Sequence, residues 1–578
     1  MRKGDQNSGG RDTQNKLALE YFDFLAKSFP VMCASDEFDF LPRVETASKY
    51  YDRLESLAPD VINECALNLR KFRQKFDSLS ICEDNFEKLI DLELLKASTA
   101  RLLTELKTAE SWRHNPLLYL KIAFIGLDHA LTKPAAQQEE QQERMLARLR
   151  AIPELLQQGV ENIDSAPSAY RQAALAMVND ADSYLSEITR DIIGRNCVNA
   201  WEPLQKVRSA LVKFGKFLHT VPLIEKPRIR LSALEATVKK HFLLERSLSE
   251  VFEIAREEWH QDLEQLNKLR AHIDPAKSWR QLYHVYHPSD TEKMDTISLY
   301  QDQIGKLTGF FGEHGFRKIH FNSSLKVCKT PTYLRSVRGS ASFSAALTAN
   351  GGEKDLFYIT TCRPRDRGKE AENFLKRRLH REYKFLAAHE TVPGHHLLDS
   401  VRRKLKNPVR RQIESPLFYE GWACYAETLL KEYGYVDSPI ESLVDYKRRL
   451  WRAARCQIDV GLATGKLDTE DSIRLLVTTG FTPEEAKNQI NRFRLNPGYQ
   501  LCYTIGRYEI MRLRQTYGSR SGREQFHKEL LEGGELPFHL IEKRFEMLNP
   551  SNIKNNPCEI GPNKLRYREA KLLYQNKE

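Results

Sequence analysis

Apolar residues recur at three-to-four spacing along most of the 578-residue chain, the period of helices that bury one stripe and solvate the other. Segments 17–29, 50–78, 83–110, 139–159, 168–190 and 199–217 carry this pattern with few breakers, and each is read as a helix. From Ser232 to about Arg270 the stripe continues through Leu234, Val238, Phe242, Leu243, Val251, Ile254, Trp259, Leu263 and Leu266, until Asp274-Pro275 stops it. The texture changes between 316 and 363. There, short β-rich runs at 316–321, 324–328, 340–345 and 356–361 are punctuated by Pro331, Gly339 and Gly351-Gly352, which predicts a small sheet. Helical periodicity resumes near 370. The pattern therefore predicts a mainly α protein. It divides into a polar, disordered tail over 1–16, an N-terminal helical lobe over 17–276 and a second lobe over 277–578.

Composition narrows the class. Hydrophobic residues make up 41% of the chain, enough to bury a large core. No apolar run approaches the eighteen or so residues of a membrane span, and the N-terminus lacks the apolar stretch of a signal peptide, so a cytoplasmic location is expected. The ten cysteines are scattered without CxxC pairs, which points to reduced, buried thiols. The net charge is +11, with basic clusters such as Lys376-Arg377-Arg378 and Arg402-Arg403-Lys404. These read as solvated helix faces, because no nucleic-acid motif or phosphate-cradling loop accompanies them. No specific nucleic-acid partner is expected.

The candidate chemistry sits in His389-Glu390-Thr391-Val392-Pro393-Gly394-His395-His396. Imidazoles beside a carboxylate are the groups of a zinc site that activates water. In HExxH two histidines four apart share a helix face, but here Pro393 holds that place. In an unbroken helix His395 would point away from His389, and His396 would lie about 10 Å further along the axis. Pro393 ends the helix and Gly394 tolerates the returning backbone. Pro-Gly thus acts as a two-residue insertion that lets His395 replace the second histidine, with His396 beside it or donating to an intermediate. The opposite assignment of His395 and His396 stays open. For a third ligand, Glu420 and Glu427 lie seven apart on a helix that follows Pro416. One would reach the ion and the other would hold the free nitrogen of a histidine.

These residues resemble a bacterial family catalogued as a domain of unknown function, whose signatures are HExxPGHH and EGWAxYxE. The resemblance continues through Glu432–Pro439, Arg455–Gly461, Asn496–Gly506 and Gly534–Pro537. It implies a zinc metallopeptidase-like protein, distantly similar to thimet oligopeptidase and the helical zinc carboxypeptidases, with two helical lobes and a small sheet beside a deep cleft. Relative to the oligopeptidase pattern, the offsets from His389 are six rather than four to His395 and 31 rather than about 29 to Glu420. That shared shift of two favours His389, His395 and Glu420 as ligands, with Glu427 and Asp459 behind them. The chain departs from the family at Ala463, where a histidine is usual, at Tyr499, where a glutamine is usual, and over Ser340–Ala346.

The resemblance implies hydrolysis of amide bonds in short peptides by zinc-activated water. Glu390 is then the general base and Tyr503 the first choice of oxyanion donor, with His396, Tyr499 and Arg507 as alternatives. Arg455, Arg494 or Arg507 could hold a substrate carboxylate, and an edge of the sheet could take an extended peptide. The competing expectation is a pseudoenzyme that binds a peptide or protein partner, for which Ala463 speaks.

Overall fold

The computed structural model describes residues 7–80, 85–194, 198–224, 231–291, 294–319, 324–349, 352–361, 369–518 and 522–548. Over these residues the protein is mainly helical, with one three-stranded and one two-stranded sheet.

Helices Pro59–Asp77, Phe86–Thr104, Gln138–Asn162, Ser168–Gly194 and Trp201–Thr220 fall on the amphipathic segments. Three expectations need correction. The helix expected over 50–78 starts at Pro59, because proline is preorganised for the first helical position and the residues before it turn. The expected tail over 1–16 is already helical from Asn7, and residues 1–6 lie outside the described residues. Gln14 is buried there and donates from Nε2 to Lys88 O at 3.0 Å, which extends the helix beyond its apolar stripe. The pattern from Ser232 to Arg270 is broken rather than continuous. It stops after His241, Leu243 takes a left-handed φ of 50°, and Ser247 with Glu250 forms a capping box that opens a new helix, Leu248–Ile273. A further helix, Pro116–Thr132, is buried on nearly every face.

Six helices and three strands matter for the site. They are α1 (Leu248–Ile273), α2 (Tyr383–Glu390), α3 (His395–Arg402), α4 (Pro416–Glu432), α5 (Pro439–Thr464) and α6 (Leu501–Leu513), with β1 (Leu325–Lys329), β2 (Ala341–Ser344) and β3 (Asp355–Ile359). The sheet lies within the expected β-rich region. Strand β3 is central, parallel to β1 in the register Leu325↔Asp355 and antiparallel to β2 in the register Phe343↔Phe357. Strand β2 is therefore an edge.

Helix α1 lies along α5, and α4 packs against both α2 and α6. The buried apolar residues form one cluster from Leu17 to Phe545, continuous across residues 274–276.

Candidate metal centre

Helix α2 ends at Glu390 and α3 begins at His395, so the Pro-Gly pair does interrupt the helix. Gly394 N donates to Ala388 O at 2.9 Å, and Leu397 N to Thr391 O at 3.2 Å, which fold the linker back on the end of α2. A Cβ at Gly394 would stand 1.9 Å from His389 O, so only glycine fits this return. Trp422 of α4 pins the linker from the other side, its Nε1 donating to Pro393 O at 2.9 Å.

The return brings His395 rather than His396 towards His389, and Glu420 meets both. Glu420 Oε2 lies 3.4 Å from His389 Nε2 and 3.7 Å from His395 Nε2. One ligand atom from each of the three lies within 4.8 Å of the others, and all three residues are buried. Tetrahedral ligands about 2.1 Å from a zinc ion stand about 3.4 Å apart, so this spacing suits one ion. Glu420 Oε2 is buried and makes no hydrogen bond of normal length, its nearest neighbours being the two imidazole nitrogens that would share a cation with it. Two imidazoles and a carboxylate are also a donor set zinc accepts.

Glu427 lies behind His389, with Oε1 2.8 Å from its Nδ1. Two arginines of α5 grip that carboxylate, Arg448 at 2.9 Å and Arg452 at 3.0 Å. On the other side Tyr499 Oη donates to Glu420 Oε1 at 2.8 Å. Asp459 holds the turn that carries Tyr499, accepting from Gly498 N at 3.0 Å and Gln500 N at 2.9 Å.

The charges fit together. Burial pushes Glu427 up, but Arg448 and Arg452 hold it well below the usual carboxylate range. Burial would push His389 down, yet Cys424, Glu420 and Glu427 carry it well above the ordinary histidine range. Burial and the neighbouring His389 push His395 down to about 3. Glu420 is held at about 2, against its burial, by the two histidines and Tyr499. The carboxylates favour a proton on His389, whereas burial and His389 itself disfavour one on His395.

Glu390 is half-buried at the end of α2, and its Oε2 accepts from Phe343 N of edge strand β2 at 2.9 Å. Burial, together with the nearby Glu420, pushes it up to about 7. His396 turns to the sheet instead, with Nδ1 3.0 Å from Asp355 Oδ2. Tyr503 is half-buried, 5.9 Å from the Tyr499 ring, and the Arg455 guanidinium lies 4.0 Å over its centroid. Arg455 Nε donates to Gln500 Oε1 at 2.8 Å. Arg507 is buried and ion-paired with Glu258 of α1, and Arg494 donates to Thr469 Oγ1 at 2.9 Å. Sequence reasoning missed Asp355, Tyr419, Arg448 and Arg452. The α5 arginines occur four apart, the spacing of one helix face, which was the only signal they gave.

Fold and site together define a mainly helical protein with a buried His-His-Glu cluster at a helix break. The chain belongs to the bacterial family of proteins of unknown function DUF885, whose model matches residues 42–545. No curated protein matches it. Two solved structures share the fold. One is the crystal structure of the putative lipoprotein from Colwellia psychrerythraea, with TM-score 0.70 and 16% identity, covering 93% of this chain and 99% of that one. The other is a putative lipoprotein of unknown function from Shewanella oneidensis, with TM-score 0.69, 18% identity and the same coverages. These likenesses overturn the expected cytoplasmic location, since both proteins of this fold are putative lipoproteins. The lack of an apolar stretch in the sequence does not by itself fix where a protein resides. Among the described residues no helix is long and apolar enough to cross a membrane.

Proposed function

We propose that this chain is a zinc-dependent hydrolase that cleaves amide bonds in short peptides. One observation carries the reading: His389, His395 and Glu420 converge on one point beside Glu390, while Glu427 holds the outer nitrogen of His389. The shared two-residue shift in ligand spacing relative to thimet oligopeptidase supports the same reading. His389, His395 and Glu420 would hold the zinc ion, which when bound would supply an acidified water and Lewis-acid polarisation of a carbonyl.

The protein's own groups do the rest. Glu390, anchored by Phe343 N, accepts a proton from the attacking water and returns it to the leaving amine. Tyr503 donates its hydroxyl to the oxygen that gains charge, and Arg455 against its ring fixes that side chain. Tyr499 and Glu427 orient Glu420 and His389, so that the ligands need little rearrangement. An extended peptide would lie along β2, whose Phe343 is already tied to the base.

A panel of short peptides incubated with the purified protein tests this reading. Hydrolysis is expected, lost on chelation, restored by zinc and abolished in Glu390→Gln. A protein that holds zinc but turns over no peptide, with Glu390→Gln indistinguishable from wild type, would instead favour the partner-binding reading raised by Ala463.

A further inference from the structure

His395 differs from His389 in how it is held. Nδ1 of His389 meets Glu427, whereas Nδ1 of His395 is buried with no hydrogen-bond partner among the described residues. A metal-bound histidine ordinarily has its outer nitrogen tied to a carboxylate, a carbonyl or water, and that contact fixes the ring. Another device must orient this one.

Tyr419, next to Glu420 on α4, stacks on the His395 ring with centroids 3.9 Å apart and planes 13° from parallel. Its hydroxyl donates to Asp399 Oδ2 at 3.1 Å. Asp399 is fully buried on α3 and ion-paired with Arg402 of the same helix and with Arg43. Both arginines also pair with Glu414. The tyrosine ring therefore has one face on the imidazole and its far end clamped by a charged cluster. That cluster reaches back to the N-terminal part of the chain, more than three hundred residues earlier.

We infer that Tyr419 is a positioning residue for the metal. Its ring, stacked on the imidazole, fixes the plane of His395 where no hydrogen bond does. A stack restrains tilt but leaves Nδ1 uncharged and unpolarised. The second histidine is thus a weaker donor than His389, whose outer nitrogen faces a carboxylate. This inference rests on the His-His-Glu metal reading and adds how one ligand is oriented.

Metal affinity measured by competition with a chromophoric chelator tests it, alongside the visible spectrum of the cobalt-substituted protein and thermal denaturation. Tyr419→Phe keeps the ring and is expected to bind zinc within about threefold of wild type. Tyr419→Leu keeps apolar bulk but removes the stack. It is expected to bind on the order of ten- to a hundredfold more weakly, with a changed cobalt spectrum that Tyr419→Phe does not show, while loss of the hydroxyl that Asp399 accepts from lowers the metal-free Tm in both variants. A purely structural role would lower that Tm and leave the spectrum alone. If Tyr419→Leu does not fold, Tyr419→Met takes its place. Wild-type affinity in the variant without the ring, or equal losses in it and in Tyr419→Phe, would overturn the inference while the metal site stands. A wild type that binds no metal would overturn the site itself.

Discussion

Gly421 and Gly506 meet backbone to backbone: a Cβ on Gly421 would lie 2.5 Å from Gly506 C, and one on Gly506 would lie 2.1 Å from Leu417 O. The glycine after Glu420 and the one after Ile505 thus share one purpose, to let α4 and α6 approach until Tyr499 reaches the Glu420 carboxylate. Neither has a positive φ, so bulk and not conformational freedom selects glycine here.

Gly506→Ala should force the two helices apart. Overpacking of this kind costs about 1–3 kcal/mol, and the opposing atoms are backbone that cannot swing aside. Urea denaturation should show the midpoint falling with little change in slope. An unchanged midpoint would mean that the close approach does not constrain the helices.

Glu427→Gln should weaken the metal site without touching a ligand. The amide keeps the size of the side chain but removes the charge that holds His389 Nδ1, and losses of this kind are about 10–100-fold in metal affinity. It also leaves Arg448 and Arg452 without their shared buried carboxylate, which costs about 3–5 kcal/mol. Chelator competition and denaturation should therefore both shift. A variant altered in stability alone would place Glu427 in the packing and not in metal binding.

A pH effect should arise from a histidine outside the cluster. His527 is fully buried, with Nε2 2.7 Å from Tyr425 Oη and its ring stacked on Phe316. Burial pushes its pKa down to about 4. Between that value and the ordinary histidine pKa of about 6.5, the unfolded chain holds a proton that the folded chain refuses. The stability it contributes is present above pH about 6.5 and is lost as pH falls towards 4, on the order of 3 kcal/mol in total. His527→Gln should flatten the pH dependence of unfolding in that window, relative to wild type. An equal slope in both proteins would contradict the assignment.

Much of this was readable from the sequence. The amphipathic helices were visible because each hides one stripe, and the small sheet because Gly and Pro punctuate its runs. The helix Pro116–Thr132 was not, since a segment buried on nearly every face has no stripe to reveal its period. The break at Leu243 was hidden for the opposite reason: apolar residues continued in phase through a turn. At the site, Pro393 and Gly394 gave away the helix break. Which histidine the break returns to His389 depends on how the linker folds back; the eight residues alone left both open, and only the two-residue shift shared with Glu420 in the family resemblance favoured His395, the one that meets Glu420. Tyr419 stands beside Glu420 on α4, but its stack on His395 comes from packing of α4 against α3, and Asp355 reaches His396 from the sheet. A cluster assembled across more than three hundred residues, such as Arg43 with Asp399, leaves no local pattern.

The metal content of the purified protein, measured by elemental analysis after dialysis and again after Glu420→Gln, weighs on everything proposed for this chain. One zinc per chain is expected in the wild type, with most of it lost in the variant, whose carboxylate charge and ligand oxygen are gone. A wild type that holds no metal even when zinc is supplied, or a Glu420→Gln protein that keeps it fully, would contradict the reading of His389, His395 and Glu420 as a metal centre.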